Sequence, residues 1–302
     1  MLVGVEQVLI DENFDAVLVP GDTNSTLAGA LSAIKIQVPV IHLEAGLRSF
    51  DYRMPEEINR VLTDHISQLL ITTSHTGTQN LIKEGIPKER IFEIGDTMVD
   101  AILLFKDLAE KKSKILSKIN LKPKEFLLLT LHRAGNVDSK ENLESILKAL
   151  TSFEIPIIFP IHPRTKKNIE NFGMEHYLNE YNIQTIEPVG YLDMLVLEKN
   201  AKIILTDSGG IQKEALTLNV PCITLRENTE WIETIQLGAN RLVGSNNKLI
   251  KKELEKLLEK EVNYSWPNPY GDGKSREKIV EEIYSRFEKG LLTIPKNVEI
   301  KS

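Results

Sequence analysis

VPVIHLEAGLRSFDYRMPEEINR, Val38 to Arg60, carries the pattern that decides the fold. It opens with a short, β-rich apolar run, VPVIHL (38–43), that reads as a buried strand. Gly46 and a charged loop interrupt the run, and Pro55 then opens a helical pattern, PEEINRVLTDHIS. Three glutamates (Glu44, Glu56, Glu57) and three arginines (Arg48, Arg53, Arg60) lie between His42 and Arg60. A solvated surface helix needs no Gly46, no Pro55 and no strand feeding it. A site that handles protons and anions uses all of them.

The same strand–loop–helix rhythm runs in both directions from this stretch. DAVLV (15–19), QLLITT (68–73) and RIFEI (90–94) are short apolar runs bounded by polar turns, and LAGALSAIK and HTGTQNLIKEG between them have helical spacing. The second half repeats the pattern with FLLLTL, IPIIFPI, IQTIEPV, KIILT, VPCITL and NRLVG. Strands alternating with helices imply an α/β protein with mainly parallel sheets and crossover helices. The sequence turns lysine-rich over 100–124 before FLLLTL restarts a buried strand, and 302 residues are comfortable for two domains. The expected division is therefore 1–100, completed by a helix near the C-terminus, then 101–285, with 286–302 as a tail. KKELEKLLEKE (251–261) carries charge on most faces and reads as a solvated helix.

Composition narrows the partners. The formal net charge is -6 with no long basic block, which argues against nucleic acid. An anionic ligand must then be met by local arginines, helix N-termini or backbone amides. No apolar run is long enough to cross a bilayer, and the start lacks a basic n-region and a small-residue cleavage site. Cys222, in the strand-like VPCITL, is the single cysteine. It reads as a small core residue, and a reducing cytoplasm is the expected compartment.

In open parallel sheets, ligands sit beyond the carboxyl ends of the strands, so the residues after each strand matter most. After DAVLVP come Gly21 and Asp22, where Asp22 or Thr23 either caps the next helix or, with Glu44 placed alike after the next strand, presents a carboxylate to a site. His132 follows LLLTL and is either a proton shuttle or a structural histidine. His162 and Arg164 follow IPIIFPI, at a turn or against a phosphate. The strongest local signal is Asp207-Ser208-Gly209-Gly210 after KIILT, followed by a helix carrying Glu214. Two glycines admit close backbone approach, and a helix N-terminus offers free amides to a phosphate, while Asp207 as a cap in a tight turn is the plainer reading. The pattern is neither a Walker loop nor a G-x-G-x-x-G fingerprint, and no His, Asp and Glu group has metal spacing.

These pieces together resemble the non-hydrolysing UDP-N-acetylglucosamine 2-epimerases. The matching motifs are GDTNSTLAGALSA, HLEAGLRSFDYRMPEEINRVLTDHIS, GDTMVDA, LHRAGNVDSKENL, IHPRTKKN, TDSGGIQKEA and NPYGDGK, in family order over nearly the whole chain. The resemblance implies two Rossmann-like domains facing a cleft, the GT-B type, and a cytoplasmic homodimer that acts on a UDP-sugar in polysaccharide biosynthesis. It also implies anti elimination of UDP to a 2-acetamidoglucal, then re-addition with proton delivery to the other face, with no redox cofactor and no metal. By matching motifs, Asp22, Glu44, Glu56 and His132 resemble the family's catalytic residues. Ser208, Gly209, Gly210 and Glu214 would hold the diphosphate and ribose, and His162 and Arg164 would line the UDP side. Glu57 reads as a helix-start carboxylate, and Arg48 and Arg60 as ion-pair partners nearby.

Three departures temper the resemblance. The family opens with a strand followed by Gly-Thr-Arg-Pro-Glu, which this chain lacks. The first domain is therefore expected to be incomplete at its N-terminus, with DAVLV at an exposed edge and weak or no turnover. Gly135 stands where the family commonly has Glu. NTEWIE (228–233) has Trp231-Ile232 where many members have Arg-Pro, and a branch acting on UDP-2,3-diacetamido-2,3-dideoxyglucuronate is similar there. The competing functions are that related epimerase, a hydrolysing relative, a GT-B glycosyltransferase, and an inactive UDP-sugar-binding form.

Overall fold

The computed structural model describes residues 1–179, 182–259 and 263–294. Among them, ten strands form two sheets, and their pairings are all parallel. The chain divides into two compact units, one of Met1–Asp100 with the segment from Pro269 onward, the other of Ala101–Asn268.

In the first unit β1 (Val17–Pro20), β2 (Val40–Ala45), β3 (Leu69–Thr72) and β4 (Ile91–Glu93) lie side by side in sequence order. Helices Asn24–Lys35, Pro55–Ile66 and His75–Lys83 make the crossovers. All of β3 is buried, as a strand covered on both faces requires. Its side chains alternate between two cores. Leu69 and Ile71 join Ile41, Ile279 and Leu292, whereas Leu70 joins Ala45, Leu81, Ile86 and Ile91. β1 has β2 as its one partner among the described residues, and Leu18 on it is exposed.

Ile279 and Leu292 show why the chain comes back. Burying two such side chains contributes about 1.5–3 kcal/mol each, which holds the helix Ser275–Glu288 against the first sheet. GDTMVDA and NPYGDGK grip one another at the helix's start. The Asp96 amide donates to the Tyr270 carbonyl at 2.7 Å, and Tyr270 is fully buried. Asp100 accepts from the amides of Ser275 at 3.0 Å and Arg276 at 2.7 Å, which satisfies two donors that the first helical turn leaves free. Gly95 has φ +114°, and a Cβ there would come within 2.8 Å of the Tyr270 carbonyl. The boundary expected at 285 thus moves to Pro269, because the last helix has its core partners in the first unit. Positions 295–302 of the expected tail lie outside the described residues.

The second unit contains β5 (Leu127–Thr130), β6 (Ile157–Pro160), β7 (Ile183–Ile186), β8 (Ile203–Thr206), β9 (Cys222–Thr224) and β10 (Asn240–Leu242), in the spatial order β10-β9-β8-β5-β6-β7. This is the doubly wound order of a Rossmann sheet, with a switch point between β5 and β8, where the chain reverses its direction of winding. β5, β6 and β8 are buried throughout, and Leu127, Leu129, Ile157, Phe159, Ile203 and Leu205 anchor the core.

Replacing Asp100 by Ala removes the acceptor of both helix-start amides. We expect a loss of about 2 kcal/mol in denaturant unfolding, with hydrogen-exchange protection falling first in the helix Ser275–Glu288. Unchanged protection there would contradict the role given to Asp100.

Candidate active site

The exits of β1 and β2 are organised by the helix Pro55–Ile66. Pro55 is its first residue, where the missing N–H is harmless and the ring fixes a helical φ. This helix is inverted in polarity. Glu57, Asn59, Arg60, Thr63 and Asp64 are buried, whereas Ile58 and Leu62 are exposed. Its polar residues recur at helical spacing on one face, and Glu57, Asn59, Arg60 and Asp64 each meet a loop that follows a strand.

Asp64 is fully buried and ties down the exit of β2. It faces His42 Nδ1 at 2.6 Å and accepts from the Gly46 amide at 3.1 Å and from Arg48 at 2.7 Å. His42 Nε2 in turn donates to the Gly21 carbonyl at 2.7 Å, so one histidine bridges both loops. Glu84 takes the other edge of the Arg48 guanidinium in a bidentate pair. Burial works against the Asp64 anion, but the hydrogen bonds and charges of His42 and Arg48 outweigh it and hold the carboxyl below its ordinary range.

Glu44 sits where the register of β2 against β3 slips between Leu43 and Ala45, and its φ is +64°. A left-handed glutamate costs about 1–2 kcal/mol, and bulges of this kind re-aim a side chain beside functional sites. The neighbouring residue holds the bulge in place. Gly46 has φ +81°, and a Cβ there would run into the Gly77 carbonyl. Asn80 donates to the Gly46 carbonyl at 2.9 Å.

Asp22 follows β1 and is ion-paired with the buried Arg60, whose other arm donates to Glu57 at 3.1 Å. Asn59 donates to the Asp22 carbonyl at 2.9 Å. Thr23, not Asp22, caps the helix Asn24–Lys35, so the Asp22 carboxylate is left for Arg60 and the loop. Glu57 also departs from its expected role as a helix-start charge. It is buried and turns back to accept from the Ser49 amide and hydroxyl, each at 2.8 Å, and from the Phe50 amide at 3.0 Å. Glu56, one residue earlier, remains half-buried in the helix's first turn.

In the second unit His132 and Ser208 follow β5 and β8, the two strands at the switch point. Asp207 between β8 and Ser208 is fully buried, and it is not the cap that its place in the sequence suggests. Ser208 takes the N-cap position of the helix Gly209–Thr217. Asp207 instead accepts from the amides of His132 and Arg133 at 3.1 and 3.0 Å and from Asn136 at 3.2 Å. It therefore moulds the loop after β5 and lies 3.2 Å from His132 Nδ1. A proton on Nδ1 serves that contact and leaves Nε2 as an acceptor. Burial, Arg133 and His162 push the His132 pKa below its ordinary value against the pull of Asp207, so the ring is neutral at pH 7.

His162 caps the helix Pro163–Phe172 by accepting from the Arg164 amide at 3.2 Å, and its ring centroid is 6.2 Å from that of His132. Arg164 is exposed and engaged by Asp138, with Nε to carboxylate at 2.9 Å. Gly209 is buried beneath Glu230 and Trp231; a Cβ there would come 2.7 Å from Glu230 Oε1. The buried Lys213 lies 3.8 Å above the Trp231 ring, and Arg226 pairs with Glu230 at 2.9 Å. Lys213, Arg226 and Glu230 were not foreseen, because their sequence neighbours do not announce the packing. Asp22, Glu44 and Glu56 lie in the first unit, and His132, His162, Arg164, Ser208, Gly209, Gly210 and Glu214 in the second.

Replacing Asp64 by Asn breaks a buried charge network and should cost about 3–5 kcal/mol at neutral pH. Because the folded pKa is depressed, the wild-type contribution is complete above the unfolded value, about 3.9, and is lost as pH falls through the folded one. Acid unfolding followed by circular dichroism should therefore show a flatter low-pH limb for D64N than for wild type.

The family model described as UDP-N-acetylglucosamine 2-epimerase matches residues 1–284. A protein named UDP-N-acetylglucosamine 2-epimerase from Methanocaldococcus jannaschii is 52% identical over 297 residues, 95% of this chain and 80% of that protein. The UDP-2,3-diacetamido-2,3-dideoxy-D-glucuronate 2-epimerase of Pseudomonas aeruginosa is 43% identical over 288 residues, 94% of this chain and 78% of that protein. The crystal structure of the Methanocaldococcus jannaschii UDP-GlcNAc 2-epimerase in complex with UDP-GlcNAc and UDP superimposes with a TM-score of 0.87 at 50% identity, covering 94% of this chain and 79% of that one. With the epimerase motifs distributed over two parallel α/β units and this degree of likeness along the chain, the protein belongs to the UDP-N-acetylglucosamine 2-epimerase family.

Proposed function

We propose that the protein interconverts UDP-N-acetylglucosamine and UDP-N-acetylmannosamine. The observation that carries this reading is the second unit's switch point. There a neutral histidine braced by Asp207 stands at one strand exit, and Ser208-Gly209-Gly210 opens a helix at the other. Free amides at that helix start suit a diphosphate, and Glu214 suits a ribose diol. His162 and Arg164 are assigned to the UDP side.

The reaction asks for acid–base chemistry at a poorly acidic carbon. A base removes the C2 proton, the C1–O bond breaks with its electrons passing to the departing UDP, and a 2-acetamidoglucal forms. UDP oxygen then returns to C1 while a proton is delivered to the opposite face of C2, so the sum is an inversion with no net gain of atoms or electrons. Glu44 and Glu56 are the proposed proton-handling pair, with Asp22 and His132 as the further catalytic groups. The strained backbone of Glu44 and the brace on His132 support these roles. We further propose a cytoplasmic homodimer that works in polysaccharide biosynthesis. The outward Ile58 and Leu62 supply apolar surface for association.

A second substrate is favoured by Trp231 in NTEWIE and by the 43% identical Pseudomonas aeruginosa relative. In that reading the sugar is the 2,3-diacetamido-2,3-dideoxyglucuronate, and the 2-epimerisation is unchanged.

Incubation with each UDP-sugar in D2O decides between these readings. Epimerisation puts deuterium at C2 of nucleotide-linked sugar, and the better substrate shows the higher kcat/KM. Free sugar with stoichiometric UDP would identify a hydrolase, and bound UDP without either product a binding-only form. E44Q and H132A should each lower kcat about 10²–10⁴-fold. With His132 acting as a base, activity should fall on the acid side only as pH drops below about 6.5, and H132A should lose that limb.

A further inference from the structure

Glu198 has no part in the chemistry above, yet it is a carboxyl group in the dry interior. It lies in the last turn of the helix Tyr191–Asn200 with 0% of its surface exposed, and neither oxygen has a hydrogen-bond donor among the described residues. A buried carboxylate in that condition is costly unless it is neutral. The neighbouring carboxyl is Glu214, from the helix Gly209–Thr217 packed against it. Two facing carboxylates cannot both stay ionised, and a single hydrogen between them satisfies both.

We propose that Glu198 is a positioning residue for the nucleotide: it keeps its proton and donates it to Glu214, fixing the carboxylate that meets the ribose hydroxyls. This rests on the assignment of Glu214 to the ribose. Burial, then the negative charge of Glu214, pushes Glu198 well above the usual carboxyl range. Burial raises Glu214 too, but its hydrogen bond with Glu198 and the charge of Lys213 oppose the rise. Glu198 is sealed in the interior whereas Glu214 keeps some exposure, so the hydrogen sits on Glu198 and the negative charge on Glu214. The titratable groups facing the pair keep their ordinary forms. Burial, aided by the charges of the two glutamates, pushes the Tyr191 phenol up to about 12. The Cys222 thiol on β9 is pushed up to about 12, chiefly by burial. Glu198 then occupies one Glu214 oxygen and leaves the other for the ribose. An apolar side chain at 198 would free the carboxylate to turn away.

Calorimetric titration of wild type, E198Q and E198L with UDP and with 2′,3′-dideoxy-UDP tests this. E198L should weaken UDP binding about tenfold, the scale of one hydrogen bond to a charged group. E198Q, which keeps a donor, should restore most of that affinity, and the E198L penalty should vanish with the dideoxy ligand. Wild-type affinity for UDP in E198L, or an equal loss with both ligands, would overturn the proposal. Equal wild-type affinity for the two ligands would instead refute the ribose assignment of Glu214. The proton itself is read without ligand. Infrared spectra at neutral pH should contain a protonated-carboxyl band in wild type that both variants lose, and its absence from wild type would refute the shared proton.

Discussion

The buried carboxylate of Asp64 is the constraint on which the first unit's loops depend. Alone, an anion removed from water would be strongly unfavourable. It persists because His42, Arg48 and the Gly46 amide surround it, and Glu84 balances the second cation. The network spans a strand, a loop and a helix, so the loop cannot shift without exposing a charge to an apolar interior. That rigidity is what permits Glu44 to remain in a left-handed conformation. The inverted helix follows from the same requirement. A face carrying Glu57, Arg60 and Asp64 is buried because its partners are loop amides and carboxylates rather than aliphatic side chains.

The second unit solves a similar problem with a simpler device. Its doubly wound sheet separates the loops after β5 and β8 to opposite sides of the reversal, leaving a crevice that no crossover helix fills. Asp207 spans that gap, accepting three donors from the loop after β5 although it belongs to the end of β8. The carboxylate is thus both a structural tie and a neighbour of the His132 ring. In each unit an aspartate fixes a loop by accepting a backbone amide from it: Asp64 holds Gly46, two residues after Glu44, and Asp207 holds the loop that carries His132.

Much of this was legible in the sequence. Apolar runs located the strands, because a parallel strand covered on both faces must be apolar at successive positions, as IILT of β8 is. Pro55 and Gly46 marked the helix start and the tight loop, since each imposes a backbone geometry by itself. The unread part consists of partners distant along the chain. Nothing local to Glu57 shows that it turns back to Ser49 and Phe50, and nothing local to Asp207 shows that it serves the loop after β5. The return of the last helix was placed too late for the same reason. Its amphipathic pattern announces a buried face but not the sheet that buries it, and the Asp100 contacts that decide the matter join positions that the second unit separates along the chain.

Buried polar groups of this number are an unusual way to stabilise a fold, since replacing a buried ion pair by apolar residues is often neutral or favourable. Their value is better explained by what they prevent. A loop held by apolar packing can settle into several arrangements of similar energy, whereas a loop held by a carboxylate with defined donors has few. For Glu44 the difference matters, because relaxation to an ordinary φ would recover about 1–2 kcal/mol and turn its side chain away from its present direction. The Asp64 network, worth about 3–5 kcal/mol when one partner is removed, exceeds that gain. The left-handed glutamate is therefore held by the contacts of the loop that follows it.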